Sequence, residues 1–191
     1  MSKFEKKFGK YAVSNLSAIL IMCYAVGYII ELINSDFLLM LTLDPYAILH
    51  GQVWRLVTWI VVPPATLDFF TIIMLYFYYS VGRTLEHTWG DYRYNVYLFS
   101  GMLFTIIASF VCMGLCYLMY GEVFSSPEQA EAIFLAGSTI FSTYYINMSI
   151  LLAFAATFPR AQILLMLIIP VQMKWMGIAY AVLLVLQLVS G

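Results

Sequence analysis

The sequence predicts an all-α polytopic membrane protein, and three observations lead there. The 191-residue chain is 63% hydrophobic and only 10% charged, where an ordinary soluble domain is about 45–50% apolar and about 25% charged. Its apolar residues gather in five stretches, most of them near the ~20 residues that a spanning helix needs. Its basic residues fall on alternate sides of those stretches. A mean hydropathy of +0.90 agrees with this reading. The lipid bilayer is therefore the expected partner. A net charge of −1 gives no basic field for nucleic acid, and the apolar content excludes disorder. Three cysteines make no disulfide framework, and none has metal-ligand spacing. Neither a metal nor a cofactor is expected.

Taken in order, the first span is 11–34. It follows Lys3, Lys6, Lys7 and Lys10, is long, and lacks a small-residue cleavage site, so it is not a cleavable signal. The second is 67–82, short, with Asp68–Val81 at its centre. The third is 95–120 and the fourth 133–158. Pro170 interrupts the apolar run Ile163–Val171, which is expected to be a bent lead-in to a fifth span at 175–189. Unpaired backbone is not tolerated in hydrocarbon, so each span is expected to be helical. With no linker and no internal repeat, residues 1–191 read as a single domain.

The stretch after the first span is different. Residues 37–62 are too apolar for a solvated loop, with Leu38-Leu39-Met40-Leu41 and Val53-Trp54-Arg55-Leu56-Val57, yet they carry Asp44, His50, Gln52 and Arg55. Pro63-Pro64 ends them. This is expected to be a membrane-embedded external element, interfacial or re-entrant. Tryptophan favours the headgroup level, and an arginine there can snorkel to phosphate or water.

Charge sets the orientation. With the amino terminus inside, the four lysines, Arg83, Arg93, Arg160 and Lys174 are all inside, and only Arg55 is outside. Positive charge in short loops follows the cytoplasm. The lysine-rich inner flank and uncleaved first span suit a bacterial plasma membrane, with the endoplasmic reticulum as the alternative.

Little of the chemistry of an enzyme is visible. Glu31 and Asp68 can reach an interface. Glu86 and Arg93 flank the tight turn Thr88-Trp89-Gly90-Asp91-Tyr92 and are expected to brace it as a pair, with Gly82 and Gly90 allowing the close turn. Neither His50 nor His87 stands at a recognisable spacing from a serine, as a hydrolytic pair would require. Ser138, Ser142, Asn147 and Ser149 are expected to mediate helix contacts. Cys112 and Cys116, four apart, read as packing residues.

Three motifs taken together resemble the rhomboid superfamily. Gly51-Gln52-Val53-Trp54-Arg55-Leu56-Val57-Thr58 resembles the Trp-Arg motif of the first external loop of rhomboid proteases and derlins. Gly82-Arg83-Thr84-Leu85-Glu86, with Trp89-Gly90 and Arg93-Tyr94, resembles the end of the second span and its turn. Phe158-Pro159-Arg160-Ala161-Gln162-Ile163-Leu164-Leu165, with Ile169-Pro170-Val171 and Lys174-Trp175, resembles the segment between the fourth and fifth spans of bacterial rhomboids. The resemblance covers about residues 11–190 and implies a rhomboid-like helical bundle.

The family's catalytic set does not carry over. Ungapped counting puts Tyr144 at the position of the family's nucleophilic serine. The same counting puts Phe70 and Met74 where the proteases have the His and Asn that help form the oxyanion hole. Such a hole needs preorganised donors, which Phe and Met lack. The family's catalytic histidine lies in a sixth span, expected here to lie beyond Gly191, with a true five-span variant as the alternative. The resemblance therefore implies a non-catalytic rhomboid-like pseudoprotease. It would bind transmembrane helices of client proteins laterally, use Trp54 and Arg55 for client or lipid contact, and perturb the bilayer through its short second span. Two alternatives stand. One is an intramembrane serine protease with displaced residues, Ser142 or Ser149 acting as nucleophile. The other is a structural or assembly protein that shares only the bundle.

Overall fold

A computed structural model of the chain describes residues 9–120, 126–160, 162–165 and 169–172, with isolated positions at 178, 182, 185 and 186. Helix α1, Leu16–Ile33, buries Leu16, Ser17, Leu20, Tyr24, Gly27 and Tyr28, a stripe at intervals of one, three and four. Its other face, with Met22, Val26, Ile29 and Leu32, is exposed. The helix stops at Asn34, whose side chain accepts hydrogen bonds from the backbone N–H groups of Asp36 and Phe37 and so starts the next helix.

Three short helices follow: α2 (Ser35–Leu39), α3 (Pro45–Leu49) and α4 (Arg55–Thr58), the last continuing into a 3₁₀ turn over Trp59–Val61. Asp44 caps α3 by accepting from Tyr46 N and Ala47 N, and Pro45 fits the first turn. Helix α5, Phe69–Trp89, is capped by Asp68 through Thr71 N and ends at Gly90, whose φ of 80° is a conformation that suits glycine. Helix α6 runs from Asp91 to Tyr120. Helix α7 spans Pro127–Gly137 and α8 spans Thr143–Thr157. Strands β1 (Gln162–Leu165) and β2 (Ile169–Gln172) pair antiparallel, with Leu164 opposite Pro170.

Helix α5 packs on α8, α1 and α6, and α3 packs on α7 and α6. The core joins Leu20, Tyr24 and Tyr28 of α1 to Val81 and Leu85 of α5, Tyr94 and Leu98 of α6, and Ile146, Ile150 and Leu151 of α8. Leu43, Ile48 and Trp59 close it from the segment after α1. Two glycines make this approach possible. A Cβ at Gly27 would lie 2.0 Å from the carbonyl oxygen of Val61, and one at Gly82 would lie 2.7 Å from the Tyr94 hydroxyl. Small residues where backbones approach closely are the packing signature of helices in lipid.

The helix pattern differs from expectation in several places. Among the described residues, two helices are long and apolar enough to cross a membrane, Leu16–Ile33 and Asp91–Met119. Helix α5 extends seven residues beyond the expected end at 82, because Leu85 and Glu86 are buried against the bundle and carry the helix on. The expected span 133–158 is broken into α7 and α8. Gly137 ends α7, and the Ser138 hydroxyl turns back onto the Leu135 carbonyl. Within the run Ile163–Val171, the described residues form not a bent helical lead-in but the paired strands β1 and β2, a conformation favoured by β-branched residues such as Ile163, Ile169 and Val171. The expected fifth span, 175–189, lies almost entirely outside the described residues. Cys112 lies exposed on α6 rather than packed.

Candidate functional site: two buried polar knots

The Trp-Arg motif splits into two opposite roles. Trp54 is 51% exposed, whereas Arg55 is 4% exposed. The guanidinium turns inward, not toward phosphate or water. Its Nε donates to Gln52 Oε1 at 2.7 Å, and one terminal nitrogen donates to the carbonyls of Leu39 at 3.1 Å and Thr42 at 3.2 Å. That nitrogen also reaches the Thr42 hydroxyl at 3.3 Å, which lies 2.9 Å from the Ser138 hydroxyl at the end of α7. The short helices leave carbonyls without helical partners, and a planar cation with five donors suits them. Burial pulls the Arg55 pKa down, and the nearby Asp44 and Glu131 charges push it up. It stays charged across the accessible pH range.

With Arg55 inside, the exposed surface of this element is largely apolar, with Asp36 and His50 as its exposed polar side chains besides the flanking Asn34 and Ser35. Phe37, Met40, Leu49, Val53, Trp54 and Val57 are all at least half exposed. The element therefore has two apolar faces: one closes the bundle through Leu43, Ile48 and Trp59, and the other faces out.

The second knot lies at the amino-terminal end of α1. Asn15 adopts the left-handed conformation and its side chain makes no capping bond. Glu86 of α5 supplies the cap instead. Its carboxyl accepts from Leu16 N at 2.8 Å and from the Ser17 hydroxyl at 3.3 Å, and it is 4% exposed. An acidic group at a helix amino terminus meets both the orphan donors and the positive end of the dipole. The Ser17 hydroxyl also shares a hydrogen bond of 2.9 Å with the Tyr94 hydroxyl. The Asn95 side chain exchanges two bonds with the Val13 backbone, at 2.9 and 2.8 Å. Ser14 donates to Asp91 at 2.6 Å, and Arg83 donates to Asn15 at 2.6 Å.

The bracing expected of the turn is thus partly relocated. Gly82 and Glu86 hold α5 against α1, Gly90 makes the turn, and Arg93 is exposed on the first turn of α6. The bonds that Glu86 accepts from Leu16 and Ser17 go to α1 rather than along the turn. Ser17, Tyr94 and Asn95 escaped the sequence reading because each sits inside or beside an apolar run. The asparagine at the head of a span was the available signal.

A third polar contact lies inside the bundle. Asn147 of α8 donates to the Tyr24 hydroxyl at 3.1 Å, and Thr143 donates to the Val62 carbonyl at 2.8 Å. Asn147, Thr143 and Tyr24 are fully buried. Asn147 Oδ1 and Trp59 Nε1 are buried without a hydrogen-bond partner among the described residues. Of the polar residues expected to mediate helix contacts, Asn147 and Ser138 reach other elements, whereas the Ser149 hydroxyl bonds within its own helix.

No nucleophile–base arrangement forms among the described residues. The Ser149 and Ser138 hydroxyls donate to backbone carbonyls of their own segment. His50 contacts the Tyr46 carbonyl through Nδ1 at 2.8 Å, and His87 is exposed on α5. Phe70 and Met74 lie on the exposed face of α5, whereas its core face is Thr71, Tyr78, Val81 and Leu85. Tyr144 is half-buried, edge-on to Tyr145. The three positions counted from the family's catalytic set do not converge on one buried face.

No curated protein and no solved structure matches the chain. A family described as eukaryotic integral membrane protein (DUF1751) matches residues 15–190. This overturns the expected bacterial plasma membrane. Basic flanks and an uncleaved first span report orientation, which obeys the same charge rule in eukaryotic membranes, so they carried no information about the kingdom. With nearly the whole chain matched, the protein belongs to the DUF1751 family of eukaryotic integral membrane proteins.

Proposed function

We propose that this chain is a non-catalytic, rhomboid-like membrane protein that receives transmembrane helices of client proteins from the side. The observation that carries the proposal is the fate of its hydroxyls and imidazoles. Ser149 and Ser138 are spent on helix carbonyls, Tyr144 stands at the nucleophile position, and neither histidine is hydrogen-bonded to a serine among the described residues. A serine hydrolase needs a hydroxyl with a base in reach and donors aimed at the oxyanion. The five-span topology with the amino terminus inside belongs to this reading. So does an external element set into the outer leaflet, with Trp54 touching lipid or client and Arg55 positioning it from behind.

Treatment of membranes with a fluorophosphonate probe, beside an active rhomboid protease, tests the non-catalytic half. No labelled serine is expected, and a single adduct at Ser142 or Ser149 would replace the reading with a displaced-geometry protease. Photo-crosslinkers at Phe70 and Met74 test the other half. They should trap defined membrane proteins, while crosslinkers at Leu103 and Phe104 of α6 trap lipid alone. Equal, lipid-only products at all four positions would leave only a structural or assembly role.

A further inference from the structure

Helix α5 carries a polar stripe that the core does not use. Tyr76, Tyr79, Ser80, Arg83, Thr84 and His87 line an open groove of about 280 Å³. Their spacing of three and four places them on one face of the helix, away from the buried Tyr78, Val81, Leu85 and Glu86. The stripe is about 16 Å long at 1.5 Å of rise per residue. In an integral membrane protein this face meets lipid or a partner, and a cation there needs an anionic or polar counterpart. The Arg83 hydrogen bond goes to the neutral amide of Asn15, so its charge is not matched by that contact. One turn and two turns toward the start of α5, the same face continues as Ile72 and Phe69, both exposed and apolar. The groove is thus a polar pocket with a cation at one end and an apolar track leading away from it.

We infer that this groove seats an anionic phospholipid. Arg83 holds the headgroup anion, the Tyr76 and Tyr79 hydroxyls and His87 offer further hydrogen bonds around it, and the acyl chain lies along Ile72 and Phe69. A lipid seated here requires only the groove and the membrane character of the family, and is independent of any pseudoprotease role.

Native mass spectrometry of the full chain, released from nanodiscs of palmitoyl-oleoyl phosphatidylserine and phosphatidylcholine in equal parts, tests it. Phosphatidylserine should be retained over phosphatidylcholine by about fivefold, the factor that one cation contributes near an anionic headgroup. Arg83→Gln should bring the ratio to parity, and Arg160→Gln, which removes a cation elsewhere, should leave it unchanged. The double variant Tyr76→Phe/His87→Gln keeps the Arg83–Asn15 bond and should lower the ratio without reaching parity, so the test survives if Arg83→Gln misfolds. An unchanged ratio in both groove variants would overturn the proposal, as would an equal loss in Arg160→Gln. Displacement of the lipid by inorganic phosphate alone would overturn it in favour of a free-anion site.

Discussion

Arg55 and Glu86 are both buried to 4% exposure in a chain that is only 10% charged, yet they organise the molecule on different scales. The partners of Arg55 lie 3 to 16 residues away. Glu86 and the residues around it join segments 68 to 82 apart, tying α1 to α5 and α6. One side chain organises a local element, which its partner Thr42 ties to Ser138 96 residues on, and the other staples three helices at their ends. The comparison shows how a chain in lipid gains specificity. Apolar burial does not distinguish helix from lipid tail, so packing and hydrogen bonds choose the partners. Arg55 satisfies carbonyls left over by short helices, and Glu86 satisfies N–H groups left over by a long one.

The largest expected effect is at the local knot. Arg55→Ala removes the donor shared by Gln52, Leu39 and Thr42 and should cost about 3 kcal/mol of the stability of that element, because several buried acceptors lose a charged donor at once. Hydrogen exchange should show protection lost over 39–58 while α5 and α6 stay protected. Loss of protection across the whole bundle would erase the distinction between the two scales. Glu86→Ala comes next. It leaves Leu16 N uncapped in the core and should cost about 2 kcal/mol, with Glu86→Gln costing less because an amide oxygen can still accept. Equilibrium unfolding in mixed micelles reads it, and the loss should be global rather than confined to α1.

Gly82→Ala sharpens the same contrast. Its Cβ would press on the Tyr94 and Ser17 hydroxyls, and overpacking of this kind costs about 1–3 kcal/mol. The effect should be less than additive with Glu86→Ala, because both act on one contact. The smallest effect belongs to Ser14→Ala at the exposed rim of the knot, expected within about 0.5 kcal/mol of wild type by the same unfolding measurement.

Much of the helical frame was legible because it rests on composition and period. Residues 16–33 and 95–120 read directly as apolar helices, and the segment after the first span was recognisable as something other than a loop. The break at 138–142 was not legible, since the residues around it are apolar enough to continue a helix. What stops them is the Ser138 bond to Leu135 and the packing of α7 on α3. The paired strands at 162–165 and 169–172 were not legible because a short apolar run fits strand or helix equally until its partner is known. At the site, the adjacency of Trp54 and Arg55 in sequence hid that one side chain is exposed and the other buried. Glu86 drew attention as a charge near a turn. Its bonding to α1 depends on a residue 70 positions away, which no local spacing reveals.

The account turns on the external element being clamped from within by Arg55 while its outer face enters the bilayer. Nitroxide labels at Trp54→Cys and Val57→Cys, in a chain with Cys23, Cys112 and Cys116 replaced by alanine, measure this in liposomes. Collision with oxygen should exceed collision with a water-soluble nickel chelate at both positions, and the reverse should hold at Glu128→Cys on α7. Preferential collision with the chelate at 54 and 57 would place the element in water and contradict the account.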